Sequence, residues 1–157
     1  MANVCMEIET TRDIARQILR HRSFSFQEFS QRYAVVNDFS IRECRMQDTK
    51  NRQNSLKVDD LEMQNWWNAT QLRVQHEAEF MYQAALNRGI AKEQARALLP
   101  EGMAVSRMYM NGTLRSWLHY IEVRTDPSTQ KEHRDVAEAC KTVLSVLCPS
   151  IMSALSA

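Results

Sequence analysis

Glycine is nearly missing from this chain: only Gly89, Gly102 and Gly112 occur in 157 residues. A GxGxxG turn or a Walker loop needs glycines at fixed offsets so that backbone N–H groups can close on phosphate. Neither loop is present, so any nucleotide bound here is held by side chains and helix ends. Long hydrophobic runs are missing too, and none approaches the ~20 residues that span a bilayer. The N-terminal stretch MANVCMEIETTRD carries Glu7, Glu9 and Asp13 where a signal peptide is apolar. The four cysteines (Cys5, Cys44, Cys140 and Cys148) make no CxxC pair. That usage fits a reduced, cytoplasmic setting, or the host cytoplasm for a viral protein. Excess charge of either sign is also lacking. With 20 basic and 19 acidic residues the formal charge is +1, whereas general nucleic-acid binders carry a basic excess. Neither a general nucleic-acid binder nor a membrane-spanning chain is expected, and any anion site must be local.

Familiar catalytic patterns are absent as well. His76-Glu77 starts like HExxH, but position 80 is Phe80, and the four histidines have no metal-ligand spacing, so no metal site is expected. No serine sits in GxSxG. Only Cys44, between Arg42 and Arg45, has an electropositive local sequence. All four cysteines read as packing or incidental residues.

What is present is an ordinary globular composition, 44% hydrophobic and 25% charged, in a length that suits one domain with a real core. Val4, Met6 and Ile8 alternate with Cys5, Glu7 and Glu9, a short strand pattern. Thr10 or Thr11 caps a helix reaching His21, with Ile14, Ala15, Ile18 and Leu19 as its apolar face. The segment 20–33 reads as loop with a turn of helix, 33–41 as a strand, and the polar 46–57 as an exposed loop. Asp59 or Asp60 caps a helix to Asn87, with Gly89 at C′. At roughly 28 residues that helix would span about 42 Å. Leu61, Trp66, Trp67, Leu72, Phe80 and Met81 mark apolar faces on more than one side of it. A shorter helix runs from Ala91 to Leu99, stopping at Pro100, and Ala104–Met110 reads as extended. Thr113 caps a helix to Val123, and Asp126-Pro127 opens another to about Leu147. The expected fold is α+β: a helix-rich single domain, residues 1–157, with a small, mostly antiparallel sheet and a long central helix.

The densest chemistry lies in Arg20–Tyr33, which holds three arginines, a histidine, three serines and a glutamate. Arg12, Arg16 and Arg20 precede or open it at spacings of four, on one helical face. Like charges so placed repel by about 0.2–0.5 kcal/mol per pair, so the stripe asks for an anion, either a protein carboxylate or a ligand phosphate. Cations complementing a helix C-terminus explain one or two of these residues. Arginine forks with serine hydroxyls also make a phosphate or pyrophosphate site. Downstream, Arg115, His119 and Glu122 form a polar line along the 113–123 helix, readable as a solvated face or as a cofactor wall. Arg96 and Arg124 both flank apolar segments. They read either as structural salt bridges, to Glu101, Glu122 or Asp126, or as ligand-binding cations.

Taken together these blocks resemble the flavin-dependent thymidylate synthases. RHR at Arg20–Arg22, the serines, Glu28 and a closing S-x-R-Y at Ser30–Tyr33 match that family's signature, with Ala15-Arg16-Gln17 just before it. Ala95-Arg96 with Leu98-Leu99-Pro100, Asn111–Arg124 and Gln130-Lys131-Glu132 follow in the family's order. The resemblance implies conversion of dUMP to dTMP with FAD, methylenetetrahydrofolate as carbon donor and NADPH as reductant, in a homotetramer, without a cysteine nucleophile. By matched position it implies FAD contacts from Arg20, His21, Arg22, Arg115 and His119. It implies a dUMP site of Gln17, Glu28, Phe29, Ser30, Gln31, Arg32, Arg96 and Arg124, with Arg124 acting catalytically on the uracil carbonyl edge. The family also carries an upstream histidine-containing block, so the chain is expected to be an N-terminally shortened member. The alternative is a non-catalytic nucleotide- or flavin-binding or assembly module. Ser128 stands where the family often has histidine, and Gln31 where a small residue is common.

Overall fold

The structure is a computed structural model that describes residues 2–52 and 54–155. Its centre is a three-stranded antiparallel sheet, ordered β1-β5-β2, built from β1 (Asn3–Thr11), β2 (Ser25–Glu28) and β5 (Val105–Thr113). Alternation in β1 and β5 sets the register, pairing Met6 with Met110 and Ile8 with Met108. These four side chains are buried on one face. On the other face Arg107 forms ion pairs with Glu7 and Glu9. A one-residue slip would exchange the two faces, so burial of the methionines holds the register.

Each long strand runs straight into a helix. α1 (Arg12–Ile18) leaves β1 beside Val105, and α4 (Leu114–Arg124) leaves β5 at the opposite end, beside Asn3. Thr113 caps α4 by accepting from the Ser116 N–H at 3.2 Å. α5 (Lys131–Leu147) and α6 (Pro149–Leu155) complete the cover. The main core joins Met6, Ile8, Met108 and Met110 to Ile14 and Ile18 of α1, Trp117 and Tyr120 of α4, and Leu144 of α5. Gly112 lets the Phe24 ring lie directly on β5, where any Cβ would overlap it.

A second, smaller core gathers Val36, Tyr82, Ala85, Ala95, Leu99 and Ala104. It docks the C-terminal part of the long helix α2 (Leu61–Asn87) against the short α3 (Lys92–Ala95) and the 3-10 turn Arg96–Leu98. Asp60 caps α2, accepting from the Glu62 and Met63 N–H groups, and Gly89 beyond its end takes φ +81°. The α+β expectation and the long helix are thus found, as are both predicted caps. Leu61, Trp66 and Phe80 of α2 are nevertheless 71%, 59% and 66% exposed.

Several local expectations need correction. α1 ends at Ile18, so Arg20 and His21 lie in the turn beyond it rather than on its face. The 20–33 segment contains strand β2, whose pairing comes wholly from β5. Residues 33–41 form no strand; Phe39 makes a single bridge to Ala104. The 46–57 stretch overlaps a hairpin, β3 (Arg45–Gln47) with β4 (Ser55–Lys57). α5 starts at Lys131, not at Pro127. The Asp126 carboxylate accepts from the Ser128 N–H at 2.8 Å, which closes a local turn in place of a helix cap.

Candidate active site

The arginine stripe finds carboxylates for part of its charge. Arg12 pairs with Glu28 at 3.3 Å and Arg16 with Glu101. Glu28 also accepts from the Ser106 hydroxyl at 2.7 Å. Arg12 and Arg16 then line a cavity of about 350 Å³ together with Gln31, Arg96, Glu93 and Glu101. Arg96 has no carboxylate partner among the described residues; its Nε donates to the Glu93 carbonyl at 3.2 Å. Gln31 is 7% exposed and its Nε2 is a buried donor with no acceptor. An unpaired buried N–H costs about 1–3 kcal/mol. Of the arginines on this cavity Arg12 and Arg16 are already paired and Glu93 and Glu101 share the wall, which leaves Arg96 as the cation open to an anion. Phe29, Ser30 and Gln31 line an adjoining cavity of about 200 Å³. Arg32 lies at the edge, paired with Glu93 at 3.4 Å.

Arg124 occupies the C-terminus of α4. None of its expected carboxylates is its partner: Glu101 holds Arg16, Asp126 holds Ser128, and Glu122 approaches His119 at 3.8 Å. Instead Arg124 Nε donates to His21 Nε2 at 2.9 Å. The His21 ring stands edge-on to Tyr120, with centroids 4.9 Å apart. Gln17 lies nearby and bonds Gln130 at 2.8 Å and His133 at 3.3 Å.

Both histidines are held neutral. Burial, then the positive charge of Arg124 and the nearby His119, lowers His21 to about 4, and burial with Arg124 and His21 does the same for His133. In the unfolded chain both return to the ordinary value of 6.5. Below that pH the unfolded state takes up protons that the folded state refuses. The stability tied to the two rings is therefore complete above pH 6.5 and declines towards pH 4. Calorimetric melting temperatures should fall across this window, and fall less in His133→Asn, which has no ring to titrate. A profile with the same slope in both proteins would refute the assignment.

The third group lies along α4. Arg115 and His119 line an open cavity of about 790 Å³ with Ser23, Ser116, Thr125 and Lys141. Arg115 has no carboxylate partner among the described residues, and neither do the exposed Arg20 and Arg22. The polar line on α4 is thus solvated and also borders a cavity. The candidate residues form three neighbourhoods: Gln31 and Arg96 in one, Gln17, His21 and Arg124 in another, Arg115 and His119 in the third. Arg12 and Arg16, the part of the stripe that asks for a carboxylate or a ligand phosphate, join the first, each paired with a glutamate. Tyr120 and His133 were missed in the second; their only signal is that polar groups sit at core-facing positions of amphipathic helices. Among the described residues no cluster of three or more His, Cys, Asp or Glu could hold a metal, and no helix is long and apolar enough to cross a membrane.

A family model for thymidylate synthase complementing protein matches residues 1–150. The flavin-dependent thymidylate synthase of Synechocystis sp. is 49% identical over 155 residues, which cover 99% of this chain and 72% of that relative. The chain belongs to the flavin-dependent thymidylate synthase family. A probable flavin-dependent thymidylate synthase of Paramecium bursaria Chlorella virus 1 is 48% identical, with 98% of this chain and 71% of the viral protein covered. Among solved structures, the UMP/dUMP methylase PolB of Streptomyces cacaoi, bound with 5-Br UMP, superposes with a TM-score of 0.87 at 26% identity, covering 97% of this chain and 73% of PolB. Of the segment Arg20–Tyr33, Gln31 lines the arginine-rich cavity and His21 contacts Arg124.

Proposed function

We propose that this chain converts dUMP to dTMP as an FAD-dependent enzyme, with methylenetetrahydrofolate as carbon donor and NADPH as reductant. The observation that carries the reading is the cavity lined by Gln31, Arg12, Arg16 and Arg96, of which Arg96 has no carboxylate partner among the described residues. A nucleotide phosphate there would draw charge-assisted hydrogen bonds from the guanidinium groups. Ser30 and Phe29 line the adjoining cavity, Arg32 pairs with Glu93 at the edge, and Glu28 keeps Arg12 in place. Gln17 and Arg124 would address the base. The positive charge of Arg124, with no carboxylate beside it, stabilises negative charge developing on a uracil carbonyl.

The third neighbourhood fits a dinucleotide cofactor. Arg115 offers an unpaired guanidinium and Ser23 a hydroxyl on one cavity, donors suited to a pyrophosphate, whereas the Thr125 hydroxyl is spent on the Ile121 carbonyl and Ser116 Oγ is bonded to Thr113 Oγ1. Arg20, His21, Arg22 and His119 are proposed to share in holding it. When bound, the flavin supplies hydride, so no enzyme cysteine needs to attack the ring. None of the cysteines lines the arginine cavity, and burial pushes the Cys140 thiol up to about 12, a poor nucleophile.

We also propose a homotetramer, supported by the exposed Leu61, Trp66 and Phe80 on α2. Surfaces this apolar mark association sites, and sites shared between copies would bring the three neighbourhoods together. The reading is tested on purified protein. A flavin absorbance spectrum that persists through gel filtration, in a species of four times the 18.3 kDa chain mass, is expected. Protein that retains no added FAD at any concentration would refute it.

A further inference from the structure

A directional chain of hydrogen bonds runs from Tyr120 to Glu132 through Gln17, a residue of the proposed dUMP site. Tyr120 Oη lies 3.2 Å from His133 Nε2, His133 Nδ1 lies 3.3 Å from Gln17 Oε1, Gln17 Nε2 donates to Gln130 Oε1 at 2.8 Å, and Gln130 Nε2 donates to Glu132 Oε2 at 2.9 Å. The direction is imposed from its last member. An ionised carboxylate only accepts, so the Gln130 amide nitrogen must face Glu132 and its oxygen must face Gln17. The Gln17 nitrogen therefore faces Gln130, and its oxygen faces His133. A carbonyl oxygen cannot donate, so the His133 proton sits on Nδ1, and Nε2 accepts from the Tyr120 hydroxyl. His133 is fully buried, and burial keeps its ring neutral, as this tautomer requires.

The consequence lies in what Gln17 has left. Its oxygen is engaged by His133 and one amide hydrogen by Gln130. One Nε2–H remains, on a half-buried side chain. We propose that His133 is a positioning residue that locks the Gln17 carboxamide as a hydrogen-bond donor towards a carbonyl oxygen of the substrate's pyrimidine base. This rests on the dUMP reading above. A freely rotating carboxamide would present oxygen as readily as nitrogen, and oxygen facing a carbonyl is repulsive. Sites that fix hydrogen-bond polarity discriminate strongly, because the wrong polarity leaves buried groups unpaired.

The test uses the FAD-loaded full chain and the dissociation constant for dUMP, measured by titration calorimetry. His133→Asn places an amide N–H near the Nδ1 position and keeps the donor to Gln17. His133→Gln reproduces only the Nε2 end and leaves Gln17 unanchored. Both remove the ring, so a purely packing role would weaken them alike. His133→Asn should bind dUMP within about threefold of wild type, and His133→Gln about tenfold more weakly than wild type. Glu132→Gln removes the obligate acceptor without touching the core, and should also weaken dUMP by several-fold. Should the His133 variants fail to fold, this substitution alone decides. Equal affinities in Asn and Gln variants, or an unchanged Glu132→Gln, would overturn the positioning role while leaving the enzyme assignment intact. Wild-type protein that binds FAD but not dUMP would overturn both.

Discussion

Arg124→Ala should lower dTMP formation by about 100- to 1,000-fold while leaving the protein folded and FAD bound. The expectation rests on what surrounds the side chain. Its Nε is taken by His21, and no carboxylate neutralises it among the described residues. Such a half-buried cation is poised to meet charge that arises only during the reaction, so its loss should fall on kcat more than on dUMP affinity. The folding penalty is small by comparison, because the acceptor left behind is one nitrogen of the half-buried His21. A second readout follows from electrostatics. Arg124 helps to hold both His21 and His133 near 4, so removing it should raise both titrations in an NMR pH series. Wild-type turnover in Arg124→Ala, with the two histidines unmoved, would remove Arg124 from the mechanism.

Trp117→Ala should destabilise the chain by about 3–5 kcal/mol, a large part of the 5–15 kcal/mol that typically holds a domain together. Trp117 is fully buried, its ring stands 4.9 Å from Phe24 and 5.9 Å from Tyr120, and its Nε1 donates to the Val4 carbonyl at 3.0 Å. One residue thus ties α4 to β1 and to the loop that carries His21. The contrast is Trp66→Ala. That indole is 59% exposed, so the substitution should change chain stability by no more than about 0.5 kcal/mol yet weaken assembly. Urea midpoints and sedimentation separate the two effects. Equal midpoints for the two variants would show that the main core is not organised around Trp117.

Elements whose ends carry their own chemistry were readable before the fold. Asp60 and Thr113 announce α2 and α4 because each cap is made within four residues. β1 was legible through its alternation, which the register of Met6 with Met110 explains; β5 was read only as an extended Ala104–Met110 and runs on to Thr113. β2 was not legible: Ser25–Glu28 is four residues long and owes its existence to the edge of β5. The β3–β4 hairpin has a single apolar pair, Met46 opposite Leu56, and both are exposed, so no buried face marks it. Asp126-Pro127 misled because an aspartate can close a turn on Ser128 as readily as it can cap a helix. The site shows the same division. Its signature residues stand out along the chain, but their grouping does not. Gln31 and Arg96 meet because the Tyr82–Leu99 core folds α3 back towards α1, a tertiary event that no local spacing encodes. His133 and Tyr120 stayed hidden because a buried, fully bonded polar pair looks like any other helical position.

The central claim is that the arginine cavity and Arg124 together serve methylation of a uracil nucleotide. The most direct measurement is release of tritium from the C5 position of labelled dUMP by the FAD-loaded protein, with methylenetetrahydrofolate and NADPH present. The account predicts folate-dependent release with matching dTMP formation, strongly reduced in Arg124→Ala and in Arg96→Ala. Tight binding of FAD and dUMP with no release above background would contradict it and mark the chain as a binding or assembly module.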